Sequence, residues 1–388
     1  MKPQFINGNS LQLLTNSAAY FLALEQAIDA ALTVISIETY IFADDETGRR
    51  MAAALTRAAK RGVTVRVLVD GFGSHKIFDK IRQQLLADMV QVLIYHPKIS
   101  PFTLRRNRLR RLHRKLVMID GQLAFVGGIN IIDDMNSPRN LPIRYDYAVR
   151  IEGPMLATIV EETEKLWNRI ALLNFQLEWR TRQAPLIPEA IVSGKQRAAL
   201  VVRDNLLHRS DIEDAYLEAI DRAIEEIIIV NAYFFPGKRF RCALRLAAAR
   251  GVRVILLLQG RTEYALLHYA SRALYGAFLD AGVEIYGYRK SFMHAKVAVI
   301  DGRWSTIGSS NIDPFSLLLA REANVIIDDL QFAEELRGNL LQHIKDGAIK
   351  EDLDAWHSQP LWRRVINWSA YGFARLLLGL AGLGGTSY

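Results

Sequence analysis

Short apolar runs alternate along the chain with longer stretches of helical period. Val34 to Phe42, Val63 to Val69 and Val92 to Tyr95 are followed later by Ile229 to Phe235, Val252 to Leu258 and Val283 to Tyr286. Runs of this length, rich in β-branched residues and bounded by turn residues, predict buried strands. Between them, Met51 to Arg61 and Arg241 to Arg250 are alanine-rich and studded with arginine, and each stops at a glycine, Gly62 and Gly251. That is the usual end of a helix. The pattern predicts an α/β fold.

The same order of elements occurs twice. Arg61-Gly62-Val63 opens a run ending at Asp70-Gly71, and Arg250-Gly251-Val252 opens one ending at Gln259-Gly260. Each half then runs to a short strand ending in tyrosine, at Tyr95 and Tyr286, and on to a histidine, His113 and His294. The chain therefore reads as two similar domains, each a β-sheet flanked by helices. The first is expected over 1–175 and the second over 201–350. A linker over 176–200 carries Pro185, Pro188 and Gly194, and a tail occupies 351–388.

The chemistry lies after the repeat. His113, Lys115, Asp120 and Asn130 recur as His294, Lys296, Asp301 and Asn311, every one displaced by 181 residues. A histidine and a lysine two apart at the start of a strand share one face. The aspartate has the opposite parity and precedes a glycine, so it reads as the anchor of a hairpin turn, and the return strand brings the asparagine back toward the histidine. A neutral imidazole is a good nucleophile toward phosphorus. Two lysines and two asparagines supply donors to phosphoryl oxygens. A second histidine can protonate a leaving alkoxide and then deprotonate an acceptor hydroxyl.

This doubled H-x-K-x4-D pattern resembles the phospholipase D superfamily, over essentially the whole chain to about residue 345. Within it, the chain looks like the bacterial type-B cardiolipin synthases. The stretches that carry this likeness include Glu38 to Phe42 with Asp44-Asp45, Asp70 to Ser74, Phe125 to Asn130, Val149 to Pro154, Asn231 to Gly237 and Gly308 to Pro314. The resemblance implies two phospholipase D-like domains with one active site between them. It implies a catalytic set of His113, Lys115, Asp120, His294, Lys296 and Asp301, with Asn130 and Asn311 binding the substrate phosphate. It further implies that a carboxylate from each half orients the histidine of the other. Aligning Val149 with Val325 sets Asp146 opposite Glu322, so Glu322 would hold His113 and Asp146 would hold His294. The competing reading is a surface carboxylate paired with its neighbouring arginine. Glu38 and Asn231, each two before a tyrosine, align as residues that either line the pocket floor or close a strand.

Charge adds a partner. The net charge is +8, which favours anionic partners without choosing among them. From Lys98 to Lys115 inclusive there are eight basic residues, among them Arg105, Arg106, Arg108, Arg110 and Arg111, interleaved with Phe102, Leu104, Leu109 and Leu112. The corresponding interval of the second half has only Arg289 and Lys290. Such a loop suits binding of anionic lipid headgroups. No aromatic ladder for stacking bases is evident, so no nucleic-acid partner is expected. In the tail, Trp362 to Leu380 mixes tryptophan, arginine and apolar residues but is interrupted by Asn367 and Arg375. It reads as an interfacial helix or a helix packed on the protein body rather than a span. Cys242 is the only cysteine, so no intrachain disulfide and no zinc cluster built on several cysteines is possible. No metal and no cofactor is implied.

The expected activity is transfer of a phosphatidyl group between two phosphatidylglycerol molecules, giving cardiolipin and glycerol through a phosphohistidine. Hydrolysis of phospholipid to phosphatidic acid and cleavage of nucleic acid are the alternatives. The expected location is the cytoplasmic face of a bacterial inner membrane, bound peripherally.

Overall fold

The computed structural model describes residues 3–75, 77–96, 110–134, 143–181, 191–204, 208–313 and 320–380. The first half contributes β1 (Ile6–Thr15), β2 (Val34–Thr39), β3 (Thr64–Asp70), β4 (Gln91–Tyr95), β5 (Arg111–Leu112), β6 (Lys115–Ile119), β7 (Leu123–Gly127) and β8 (Tyr147–Glu152). The second contributes β9 (Gln196–Arg203), β10 (Glu226–Asn231), β11 (Arg253–Gln259), β12 (Glu284–Tyr288), β13 (Lys296–Ile300), β14 (Trp304–Gly308), β15 (Ala320–Asp328) and β16 (Ala348–Lys350).

All of them belong to one 16-stranded sheet, in the order β16-β12-β11-β10-β13-β14-β15-β9-β1-β8-β7-β6-β2-β3-β4, with β5 pairing β15 off this path. The order reads almost the same from either end toward the middle. There, β1 and β9 pair antiparallel, with Ile6 opposite Ala198 and Asn9 opposite Gln196. The two halves are thus joined by a strand ladder. β9 begins inside the stretch read as a linker, and of that stretch residues 182–190 lie outside the described residues.

Helices cover the sheet as their apolar spacing requires. In the helix Glu46–Lys60, Met51, Ala52, Leu55 and Ala58 are buried, and Asp45 caps its start by accepting from Gly48 N at 2.8 Å. The chain leaves this helix through Gly62 at φ 91°, a conformation glycine adopts without steric cost. One face of the sheet forms a core common to both halves. It joins Leu116, Val126 and Val149 to Val230, Val297 and Leu336. Burial of each such side chain contributes about 1.5–3 kcal/mol, so this core ties the halves together as well as stabilising each.

Backbone pairing corrects one alignment. Asp120 N donates to the carbonyl of Val34, and Asp301 N to that of Glu226, both at 2.8 Å. Further along, Phe42 bridges Ile131 and Phe234 bridges Ile312. In space Glu38 therefore corresponds to Val230, and Asn231 to Thr39. A shift of one residue along a strand reverses the face, so Glu38 and Asn231 are not equivalent.

Candidate active site

Each motif histidine immediately precedes the first strand of a hairpin, β6–β7 or β13–β14, and each partner carboxylate comes from the other half. The segment before His113 pairs with β15: Ala320 lies opposite Arg111 and Arg321 opposite Leu112, and the amides of His113 and Arg114 both donate to the carbonyl of Arg321 at 2.9 Å. In the reciprocal contact, His294 N donates to the carbonyl of Tyr145, and Tyr145 N to that of Phe292, each at 2.8 Å. These backbone ties set the side chains. His113 Nδ1 lies 2.9 and 3.0 Å from the two Glu322 oxygens, and His294 Nδ1 lies 2.7 Å from Asp146 Oδ2. An ionised carboxylate only accepts, so Nδ1 of each ring carries the proton and Nε2 keeps its lone pair.

Asp146 and Glu322 are buried. Asp146 is not paired with its neighbour Arg144, which lies 3.9 Å from Asp134 instead. The two carboxylates are seated differently. A Cβ on Gly128 would come within 2.2 Å of Asp146 Oδ1, so that close approach requires glycine. At the equivalent position Ser309 Oγ donates to Glu322 Oε2 at 2.5 Å. The change from Gly-Gly to Gly-Ser in the two motifs was the available sequence signal for this donor.

Both lysines are buried beside the histidines, and each ammonium donates to the carbonyl of its own histidine. Burial, with each lysine acting on the other histidine, makes the site electrostatically one unit. Burial lowers Lys115 to about 7, aided by Lys296 and opposed by Glu322. Burial lowers Lys296 to about 8, with Asp146 and Glu322 opposing. Both histidines are pushed down, His113 by burial and by Lys115 and Lys296, and His294 by burial, Lys296, Arg144 and Lys115. Burial raises Asp146 to about 6 against the pull of Lys296. Near neutral pH the rings are held as neutral nucleophiles or bases.

Asn130 and Asn311 are buried near the ends of the return strands. Asn130 Oδ1 accepts from Ile41 N at 3.2 Å, and its amide nitrogen makes no hydrogen bond among the described residues. Asp120 and Asp301 are placed away from the histidines. Asp120 accepts from the amides of Leu32, Thr33 and Val34, each at 2.8 Å, and Asp301 from those of Ile224, Glu225 and Glu226. Both have positive φ, 53° and 48°, as a hairpin turn with left-handed central residues requires. They anchor the turns and the starts of β2 and β10, which is the position that their parity in the motif predicted, and take no place in the pocket.

Glu38 is buried. It pairs with Arg114, the residue between His113 and Lys115, through Arg114 Nη2 at 2.7 Å and a second contact from Nε. The equivalents in the second half, Val230 and Ala295, are buried and apolar. Asn231 accepts from Ile312 N at 3.2 Å. Two further groups escaped the sequence reading. Tyr40 stacks edge-on against His113 with ring centroids 4.9 Å apart, and Asp70 Oδ2 accepts from Leu112 N at 2.8 Å, fixing the approach to His113. Arg105, Arg106 and Arg108 lie outside the described residues. Arg111 lies with its guanidinium 4.9 Å from the ring of Phe72, and Arg110 is half-buried beside it. Among the described residues no group of three or more His, Cys, Asp or Glu is arranged to hold a metal ion.

Two histidine–lysine pairs thus stand with their carboxylates crossed between the halves. The family model for "Cardiolipin synthase, PLD-like domain" matches residues 24–169 and 216–344, one segment in each half. The chain belongs to this family. Cardiolipin synthase B of Escherichia coli strain K12 is 40% identical over 383 residues, covering 98% of this chain and 92% of that one. The Cardiolipin synthase B of Salmonella typhi is likewise 40% identical over 384 residues. Cardiolipin synthase A of Pseudomonas putida is 31% identical over 92% of this chain and 73% of its own length. Among solved structures, phosphatidylserine synthase from Haemophilus influenzae shares the fold across 100% of this chain, with a TM-score of 0.72 at 14% identity.

Proposed function

We propose that this protein is a phosphatidyltransferase that joins two phosphatidylglycerol molecules into cardiolipin and glycerol. The observation that carries this is the crossed pairing of His113 with Glu322 and His294 with Asp146, in a chain of cardiolipin synthase family membership. Nε2 of His113 attacks the phosphorus of the donor, forming a P–N bond as the P–O bond to the departing glycerol breaks. The anionic phosphate of the bound donor favours the imidazolium form of His294, whose Nε2 then gives that oxygen its proton and is left neutral. The headgroup hydroxyl of a second phosphatidylglycerol then loses its proton to His294 and attacks the same phosphorus, and the P–N bond breaks. Lys115, Lys296, Asn130 and Asn311 are suited to hold the phosphoryl oxygens as charge shifts among them. Glu322 and Asp146 fix the tautomer and angle of each ring.

Arg110 and Arg111, with Arg105, Arg106 and Arg108, are suited to the anionic headgroup. Substrates of this kind reside in a membrane, and peripheral association with the cytoplasmic face of a bacterial inner membrane fits the reading. Among the described residues no helix is long and apolar enough to cross one. The test is to supply labelled phosphatidylglycerol in vesicles and identify the product. Diphosphatidylglycerol with free glycerol is expected. Phosphatidic acid alone would make the protein a hydrolase, and oligonucleotide cleavage lost in the same histidine variants would make it a nuclease.

A further inference from the structure

The helix Leu361–Leu380 packs against the helix Ala265–Arg272 by a narrow stripe. Asn367, Ala374 and Leu378 are buried there, with Tyr371 partly so. At about 3.6 residues per turn, the opposite side presents Val365, Phe373 and Leu376, with the small Ser369 and Gly372 between them, and Leu361 and Trp362 stand at its start; all five apolar residues are more than half exposed. Arg363, Arg364 and Arg375 border the packed stripe, and residues 361–380 contain no aspartate or glutamate. An exposed apolar side on a helix whose only charges are cations is the reverse of what a solvated surface helix shows.

The helix also stands at the end of the sheet that holds the active site. Tyr371 packs on Phe235 at 5.5 Å, and Phe235 follows β10 closely, where Ala232 N donates to the carbonyl of Ala295 beside His294. Under the first turns of the helix lies a cavity of about 320 Å³ lined by His268, Arg272, Arg289, Trp362, Arg363 and Asn367. The side chain of Asn367, buried in this wall, makes no hydrogen bond among the described residues. His268 also lines the hollow at the ends of β10 and β11 with Tyr233, Gln259 and Tyr264. Phe72, beyond the end of β3, and Tyr264, beyond the end of β11, are both exposed, so each half adds an apolar side chain at that end.

We infer that the helix 361–380 is a membrane-docking element. It lies flat on an anionic phospholipid bilayer, its outward face among the acyl chains and its arginines at the level of the phosphates, so that the active-site end of the sheet faces the lipid. The tryptophans and flanking arginines match the chemistry of the interfacial zone. The inference rests on the reading that the substrate is a membrane phospholipid.

The experiment compares the full chain with the double variant Val365→Glu, Leu376→Glu. Binding is measured by sedimentation with vesicles of mixed phosphatidylglycerol and phosphatidylcholine, with pure phosphatidylcholine as the control. The variant is expected to lose about tenfold or more in partition, since removing one apolar side chain from water is worth about that factor. Its thermal midpoint should be unchanged, and it should turn over monomeric short-chain phosphatidylglycerol as the unmodified chain does. In the unmodified chain, tryptophan emission should be quenched by brominated acyl chains. Equal partition of the two proteins, or no quenching, would overturn the proposal. So would a dimer of the unmodified chain that the variant splits, because the face would then cover a second copy. Failure of either protein to act on phosphatidylglycerol in any form would remove the catalytic reading instead, and the vesicle measurements would still report on docking.

Discussion

Glu322 holds Nδ1 of His113 at 2.9 Å although 209 residues separate them in the chain. Neither half can build a complete histidine site by itself. His113→Ala and His294→Ala are each expected to reduce turnover to a few per cent or less, with thermal stability unchanged, because the pair acts as a unit and the losses do not add. Glu322→Gln keeps the volume but removes the charge that fixes the tautomer. Its kcat should fall by about 10²–10⁴-fold, and Ser309→Ala, which loses one hydrogen bond to that carboxylate, by roughly tenfold. Steady-state kinetics on vesicles would check the series.

The order of the chemistry is open to a labelling experiment. The basic segment leads directly into His113 in the chain, so a donor headgroup held by its arginines would place its phosphorus near that ring. His294→Ala should still acquire label from a phosphatidyl donor with an activated leaving group, which needs little protonation to depart. His113→Ala should not. Rapid quenching and peptide mapping would decide it, and label on His294 alone would reverse the two roles.

The pH profile follows from the buried charges. Asp146 is raised to about 6, so it takes up its proton at a higher pH than an ordinary aspartate as the medium is acidified. Lys115 and Lys296 are lowered to about 7 and 8, so they lose theirs earlier on the alkaline side. The kcat profile should be a bell with an acid limb near pH 6 and an alkaline limb beginning between about 7 and 8, both belonging to the coupled cluster. Lys296→Arg, which stays charged, should move the alkaline limb upward in whatever activity it retains.

Asp120 should behave as a structural residue. Partial burial opposes its charge, but the amides of Leu32, Val34 and Thr33 prevail and hold the carboxyl below its usual range. A depressed folded-state value gives stability above the unfolded value and loses it as pH falls through the folded one. Asp120→Ala is expected to cost about 1–3 kcal/mol, toward the lower end because the group is partly exposed. It should also flatten the acid side of the stability curve, while kcat per folded molecule stays close to that of the unmodified chain. Denaturant titrations across pH, paired with activity, test both parts.

The buried pair Glu38–Arg114 separates the halves most sharply. Removing one partner strands a buried charge, so Arg114→Met alone should cost about 3–5 kcal/mol. Adding Glu38→Val, the residue found at the equivalent Val230, should recover most of that loss. Chemical denaturation of the two singles and the double gives the coupling directly.

Much of this site was legible because polar landmarks recur at fixed spacing. His113, Lys115 and Asp120 could be laid on their counterparts by counting, and the valines after each motif were enough to pair Asp146 with Glu322. The strands before the motifs have no such landmarks. Val34 to Ile37 and Ile227 to Val230 are almost uniformly apolar, so Glu38 slid by one residue onto Asn231, and only backbone pairing fixes the register. The central seam was hidden for a different reason. Ile6 to Thr15 carries Asn7, Gly8 and Asn9 where a buried strand would show apolar residues, because Asn9 serves the backbone there, donating to Ile6 O and accepting from Met155 N.

The β1–β9 ladder has a consequence for how the two halves can change over generations. A catalytic centre shared by two separate identical chains must keep both copies alike, since every substitution appears twice, and it is lost on dilution. Here the copies are joined by covalent chain and a common sheet, so the centre persists at any concentration and each copy is free to drift. Glycine against serine beside the carboxylates, and an ion pair against valine and alanine beneath the motifs, are such divergences. Their outcome is a lopsided centre built on a symmetric frame, able to assign different duties to two histidines that the motif alone cannot tell apart.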